Sequence, residues 1–139
     1  MLFIQCLGSV LILDVSNNEK VTVLEELVTV ATANRFYRIA VNEYRLILIS
    51  DPDIINEYSL DHLYSKNKVT FVKSLPTYGY AIQPISDIAF SSIESTFYIN
   101  AVDPVHDVST ILIYRVGAPA ASSLFDTITL DRVYSRPEL

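Results

Sequence analysis

A unit of short, strand-like apolar runs recurs along this chain, and this recurrence restricts the fold more than any single residue does. Corresponding positions in the two better copies lie about 50 residues apart, a period typical of architectures built from one repeated supersecondary unit. The N-terminus offers part of a further copy. The runs of the three copies are residues 1–6, 8–14 and 21–28; 39–41, 45–52 and 54–61; and 88–90, 97–104 and 110–116.

The runs are rich in β-branched and aromatic residues, and Asp, Asn, Ser, Pro and Gly separate them. This pattern is typical of antiparallel strands joined by turns. A hairpin is predicted across Asn42 and Glu43. Residues 23–33 contain apolar side chains at helical spacing, but Val and Thr dominate, so we favour a strand there. The polar stretch 61–68 is predicted to be a loop, and the proline-flanked stretch 76–84 a loop or an irregular sheet edge.

Length and composition indicate one β-rich domain, at residues 1–131, with units at about 1–33, 34–80 and 81–131. Residues 132–139 are predicted to be a tail or connector. Half of the 139 residues are hydrophobic, which excludes a disordered chain. The net charge of −6 and the scattered basic residues argue against nucleic acid, since phosphate contacts need clustered Lys and Arg.

Cys6 is the single cysteine, so the chain cannot form an internal disulfide. This fits a reducing, cytoplasmic compartment. The apolar run 2–13 is too short to span a bilayer and contains Gln5, so we interpret it as a buried hairpin and expect no membrane contact. Within that run Cys6 has no basic neighbour, and we predict an inert core residue.

Residues 85–91 (Ile-Ser-Asp-Ile-Ala-Phe-Ser), followed by the runs 96–103 and 110–116, resemble a blade of a WD-repeat-type β-propeller. In that family an inner strand of the form apolar-x-x-apolar-x-Phe-Ser leads to a small-residue strand ending in Asp. A third strand then ends in an aromatic–Asp pair. Residues 8–15 resemble that third strand, with Asp14 in the place of the family's Asp. The resemblance implies a four-stranded antiparallel unit and a protein-binding scaffold.

The chain departs from this family pattern in the residues that would build its hydrogen-bonded network. It has no Trp, and Tyr114-Arg115 stands where the aromatic–Asp pair is expected. Propellers close with about four to eight blades, whereas about two and a half units are present here. The fold class predicted is therefore all-β, a partial propeller completed by other protein chains or by the rest of a longer polypeptide. The alternative is a self-contained β-sandwich or closed barrel that binds a small ligand.

One cluster has the residue types of a metal or acid–base site: Asp103, His106 and Asp107. The preceding unit has Asp51-Pro52-Asp53 at the corresponding place, without a histidine, so the shared feature is better explained as a turn. His62 lies in a polar stretch without a nucleophile motif, and we expect an exposed loop residue. We predict no enzyme, no catalytic residue, no metal and no cofactor.

Tyrosines in predicted loops are the better candidates for function. Tyr64, Tyr78 and Tyr80 fall in such loops, and tyrosine buries much area in an interface at a small cost in side-chain entropy. The segment from Tyr78 to Tyr80 is equally consistent with a loop that packs on its own unit. The sequence therefore predicts a non-catalytic interaction module with these three tyrosines as candidate contacts.

Overall fold

The computed structural model describes residues 1–6, 9–17, 19–28, 36–50, 54–82, 88–91 and 95–130. These residues form an all-β structure of three antiparallel sheets, none of which closes on itself. The all-β part of the predicted fold class is therefore confirmed, and the alternative of one closed barrel does not describe these sheets. The predicted tail at residues 132–139 lies outside the described residues.

Each sheet is built from strands that are close together in the chain. The N-terminal sheet contains β1 (Leu2–Gln5), β2 (Ser9–Asp14) and β3 (Thr22–Val28), in that order. The central sheet contains β4 (Phe36–Val41), β5 (Arg45–Ser50), β6 (Ile54–Ser59) and β7 (Thr70–Leu75), also in order. The C-terminal sheet contains β8 (Ala81–Ile82), β9 (Ile88–Phe90), β10 (Thr96–Asp103), β11 (Val108–Arg115) and β12 (Leu124–Thr129). Its order is β12-β11-β10, with β8 and β9 both paired to β10.

The predicted hairpin is present between β4 and β5. Asn42 Oδ1 accepts hydrogen bonds from the backbone amides of Tyr44 (2.9 Å) and Arg45 (2.8 Å). The Asn42 amide in turn donates to the carbonyl of Arg45 at 3.0 Å. The side chain thus closes the turn locally, as asparagine commonly does.

Strand β5 explains why the central sheet lies between the other two. Leu46 and Leu48 pack against the N-terminal sheet, and Ile47 and Ile49 pack against the C-terminal sheet. All four side chains have no exposed surface. A strand buried on both faces has a continuous apolar run instead of an alternating one, which is what the sequence shows here.

The three sheets are also arranged in order along one edge. The first strand of the N-terminal sheet, β1, lies next to β4, and β4 lies next to β9. One strand of each sheet therefore lies on the same side of the stack. The central sheet continues outward from that side through β5, β6 and β7.

Both ends of this stack present apolar residues. On the N-terminal sheet, β-strand alternation turns Phe3, Val10 and Ile12 inward and their neighbours outward. We call the outward set the N-terminal outer face: Leu2, Ile4, Leu11, Leu13, Val23 and Glu26. The C-terminal outer face is the corresponding set on the last sheet: Tyr98, Asn100, Ile111, Ile113, Asp126 and Ile128. Val23 is 58% exposed and Ile128 is 47% exposed.

Some local predictions are wrong. The predicted loop at residues 61–68 contains a one-turn helix, α1 (Leu63–Lys66), because Leu63 is buried in the core shared with the N-terminal sheet. The stretch 76–84 follows the irregular-edge alternative, since its two-residue strand β8 lies at the edge of the C-terminal sheet. Cys6 is exposed, not a core residue, because it lies where the chain leaves β1 and its amide donates to the Ser9 carbonyl at 2.8 Å.

Candidate interaction site

Two of the three candidate tyrosines lie together at one end of the C-terminal sheet. Residues 81 and 82 of β8 pair with residues 102 and 101 of β10. This antiparallel register places Tyr80, just before β8, opposite Asp103 at the end of β10. The third candidate, Tyr64, lies in α1, whose Leu63 packs on the other side of the central sheet. The side chain of Tyr64 lies outside the described residues.

The first wall of this site is the turn before β8. The Tyr80 amide donates to the Thr77 carbonyl at 3.1 Å, and Tyr78 (φ 51°) and Gly79 (φ 84°) both have left-handed backbone angles. Consecutive left-handed residues close a tight turn that Gly tolerates without strain. The Tyr78 hydroxyl donates to the Ala121 carbonyl at 3.0 Å, which anchors the ring against the 3₁₀ turn at Ala120–Ser122.

The second wall is the turn between β10 and β11. Asp103 Oδ1 accepts hydrogen bonds from the backbone amides of Val105 (2.9 Å) and His106 (3.4 Å). The other carboxylate oxygen, Oδ2, lies 2.7 Å from His106 Nδ1. The carboxylate therefore caps its own turn, as predicted from the sequence. The corresponding stretch of the preceding unit, residues 51–53, lies outside the described residues.

The two turns enclose a shallow cleft of about 230 Å³, lined mainly by Tyr78, Tyr80, Asp103, Val105 and His106. Tyr78 is 57% exposed and Val105 is 83% exposed. We call this the tyrosine cleft. Aromatic rings and an apolar side chain reach solvent here beside a carboxylate that is fixed by hydrogen bonds. Rigid, exposed aromatic residues of this kind are typical of protein-binding surfaces.

The hydrogen bond from His106 is the main cause that lowers the pKa of Asp103 below its usual range, and the backbone amides of Val105 and His106 add to it. A carboxylate with a lowered pKa in the folded state stabilises the fold when it is ionised. That contribution is complete above the ordinary pKa of 3.8 and is lost as the pH falls through the lowered value.

We therefore expect Asp103→Asn to change how the free energy of unfolding depends on pH. Between about pH 5 and pH 2, the free energy of unfolding of the native chain should fall more than that of the variant, because the variant has no carboxylate to protonate there. Urea unfolding at several pH values measures this difference. Parallel curves for the two proteins would contradict the assigned role of the carboxylate.

A buried charged pair that was not predicted from the sequence lies between the central and C-terminal sheets. Glu57 in β6 has no exposed surface, and its carboxylate lies 3.3 Å from Lys73 Nζ in β7. Glu57 Oε1 also accepts a hydrogen bond from the Gly117 amide at 3.1 Å, and Lys73 Nζ donates to the Ala118 carbonyl. The sequence did contain a signal for the burial of Glu57, because strand alternation places it on the same face of β6 as the apolar Ile55.

The remaining chemical candidates stay apart. His62 is exposed next to α1, as predicted. Among the described residues, no three His, Cys, Asp or Glu side chains come together in a way that could hold a metal ion. A polar cleft of about 290 Å³ lies beside the β4–β5 turn, but its Arg45 already faces Asp61 at 3.5 Å. No helix in the described part of the chain is long and apolar enough to cross a membrane.

Comparison with known proteins returned no match: no family model, no curated protein and no solved structure is similar to this chain at a significant level.

Proposed function

We propose that this chain is a non-catalytic protein–protein interaction module and that it works as a piece or subunit of a larger assembly. The observation that carries the proposal is the exposure of apolar residues at both ends of the sheet stack. Exposed Val23 and Ile128 mark the two ends, and each lies in a face of mainly apolar side chains. Contiguous apolar surface of this kind marks places where proteins associate.

The way the sheets already pack supports further sheets as the cover. Each of the two internal interfaces joins the face of one sheet to the face of the next, and strand β5 of the central sheet is covered on both faces in this way. The N-terminal and C-terminal outer faces are the faces left over by the same stacking. Repeated units that bury one face against each neighbour need additional units or caps at their ends.

A partial β-propeller is the architecture that we propose for this stack. Its support is the chain-order antiparallel arrangement of the central sheet, with four strands, and the close approach of β1, β4 and β9 along one edge. Propeller blades converge on a central channel in this manner, and a ring needs about four to eight of them. The missing blades would come from other chains or from the rest of a longer polypeptide, in a reducing cytoplasm where the exposed Cys6 thiol stays free.

The test places a charge on each outer face. We expect the native chain to form species larger than one chain. Val23→Lys or Ile128→Lys should raise the concentration needed for this association at least about tenfold, because burying a lone ammonium group is unfavourable. Light scattering after size-exclusion chromatography measures the mass. Both positions are exposed, so the free energy of unfolding should change by less than about 0.5 kcal/mol.

The matched control is Val72→Lys, which adds the same charge at a side chain of similar exposure, 42%, on β7 and away from both outer faces. It should associate like the native chain. A native chain that remains monomeric and unfolds cooperatively at every accessible concentration would show that the outer faces need no cover, and the proposal would fail.

A further inference from the structure

We propose that the tyrosine cleft binds an arginine side chain carried by an extended segment of a partner protein. The inference goes beyond the proposed stacking function and does not use either outer face. It rests on three features of the cleft: its size, the two tyrosines that line it together with Asp103, and its charge.

The size of the cleft suits one side chain of a partner. Its volume of about 230 Å³ is below the roughly 300–1,000 Å³ that pockets for small organic ligands usually have. It is also bounded by two tight turns, so a helix cannot lie along it. A single long side chain that enters from an extended backbone fits these limits.

The walls of the cleft are held in place before anything binds. The hydroxyl of Tyr78 is anchored on the Ala121 carbonyl, and the carboxylate of Asp103 is held by two backbone amides and His106. The Tyr80 ring packs in part against the core between the central and C-terminal sheets. Groups ordered in advance lose little entropy on binding, so even a small surface can hold a ligand.

The chemistry of the walls selects a cation. Tyr78 and Tyr80 offer aromatic side chains, which attract cations, and Asp103 offers the second lone pair of Oδ2, whose first is taken by His106 Nδ1 at 2.7 Å. Exposed Asp107 adds a second negative charge at the same turn. A guanidinium group can stack on a ring and pair with a carboxylate at once, which an ammonium group does less well. The net charge of −6 attracts a basic segment and repels an acidic or phosphorylated one.

The test uses short peptides as probes and amide and ring signals in NMR spectra as the readout. The peptide acetyl-Gly-Arg-Gly-amide should shift the signals of Tyr78, Tyr80 and Asp103 in a saturable manner. The same peptide with lysine should bind at least about twofold more weakly. Versions with citrulline, which keeps the shape of arginine without its charge, or with glutamate should leave these signals in place.

Variants of the chain locate the binding. Asp103→Asn and Tyr80→Leu should each weaken the arginine peptide at least about threefold, because each removes one of the two attractions. Tyr78→Asn tests the second ring without relying on Tyr80. Asparagine is chosen because it tolerates the left-handed backbone angle at that position. The matched controls change an exposed tyrosine and an exposed aspartate outside the cleft. They are Tyr44→Leu, at the β4–β5 turn, and Asp126→Asn, on β12, and both variants should bind the peptide like the native chain.

Three results would overturn the proposal. Equal binding of the arginine and citrulline peptides would show that charge is not recognised. Unchanged binding in Asp103→Asn together with Tyr78→Asn would place the peptide elsewhere. Cleft signals that move when the chain alone is diluted would assign the cleft to a second copy of this chain instead of a different protein. The outer-face variants Val23→Lys and Ile128→Lys leave the cleft intact, so failure of the stacking proposal and failure of this one are distinguishable.

Discussion

Replacing Lys73 by methionine will lower the free energy of unfolding by about 3–5 kcal/mol, because it leaves the Glu57 carboxylate buried without its cation. Glu57 has no exposed surface, and its remaining hydrogen-bond donor in the structure is the Gly117 amide. Methionine keeps the length and most of the apolar stem of lysine, so packing changes little. Urea unfolding monitored by tyrosine fluorescence measures the loss.

The reverse change should be milder. Glu57→Gln leaves Lys73 without a counter-charge, but the Lys73 side chain is 18% exposed and can extend its ammonium group to water. We expect a loss of about 1–3 kcal/mol, which is the range for an imperfectly satisfied buried polar group. The asymmetry between the two single variants follows from which partner can reach solvent.

The double variant with methionine at both positions separates the charge from the packing. It removes both charges, so it should recover most of the loss of Lys73→Met, as replacements of whole buried ion pairs often do. The exposed Lys68→Met serves as the control and should change stability by less than about 0.5 kcal/mol. A loss below about 1 kcal/mol for Lys73→Met would show that water or another cation satisfies Glu57.

Strands could be predicted from the sequence because the local signals agreed. In β2 an apolar run is followed by Asp14, Ser16 and Asn17, and the Asp14 side chain accepts a hydrogen bond from the Ser16 amide at 2.9 Å. The β4–β5 turn was predictable for the same reason, since Asn42 closes it through its own side chain. Where strand pattern and turn chemistry indicate the same local structure, residues that are adjacent in the sequence are enough to predict that structure.

The parts that were not predicted depend on contacts between distant residues. The apolar run around Cys6 gave no sign of which residue would lie at the turn, so the sequence placed an exposed thiol in the core. Helix α1 is a single turn, too short to have a periodic pattern, and the burial of Leu63 becomes visible only with the sheets in place. The role of Glu57 required knowing that Gly117, in the turn directly after β11, lies over β6.

The tyrosine cleft shows the same division between local and distant information. Each of its turns was recognisable, one from Gly79 between two tyrosines and the other from Asp103 before a proline. Their meeting depends on the pairing of the two-residue strand β8 with the end of β10. A strand this short, with prolines on both sides, carries almost no register information of its own. The candidate tyrosines could thus be chosen from the sequence, but their carboxylate partner could not.

The final prediction concerns cooperativity between the two cores. Leu48→Ala should lower the free energy of unfolding by about 2–5 kcal/mol, because it opens a cavity at a fully buried position between the N-terminal and central sheets. Leu11→Ala, on the partly exposed N-terminal outer face, is the matched control and should cost well under half as much.

Hydrogen exchange reveals whether that loss stays local. Leu48 packs away from the C-terminal sheet, but its neighbours Ile47 and Ile49 belong to the core that this sheet shares with the central one. Since one strand contributes to both cores, opening it exposes both, and protection should fall in β10 and β11 as well as in β2. If protection falls in the N-terminal and central sheets while β10 and β11 keep theirs, the three sheets are separable units instead of one cooperative stack. Cooperativity would then have to come from the blades that complete the assembly, and the isolated chain would unfold from its N-terminal sheet first.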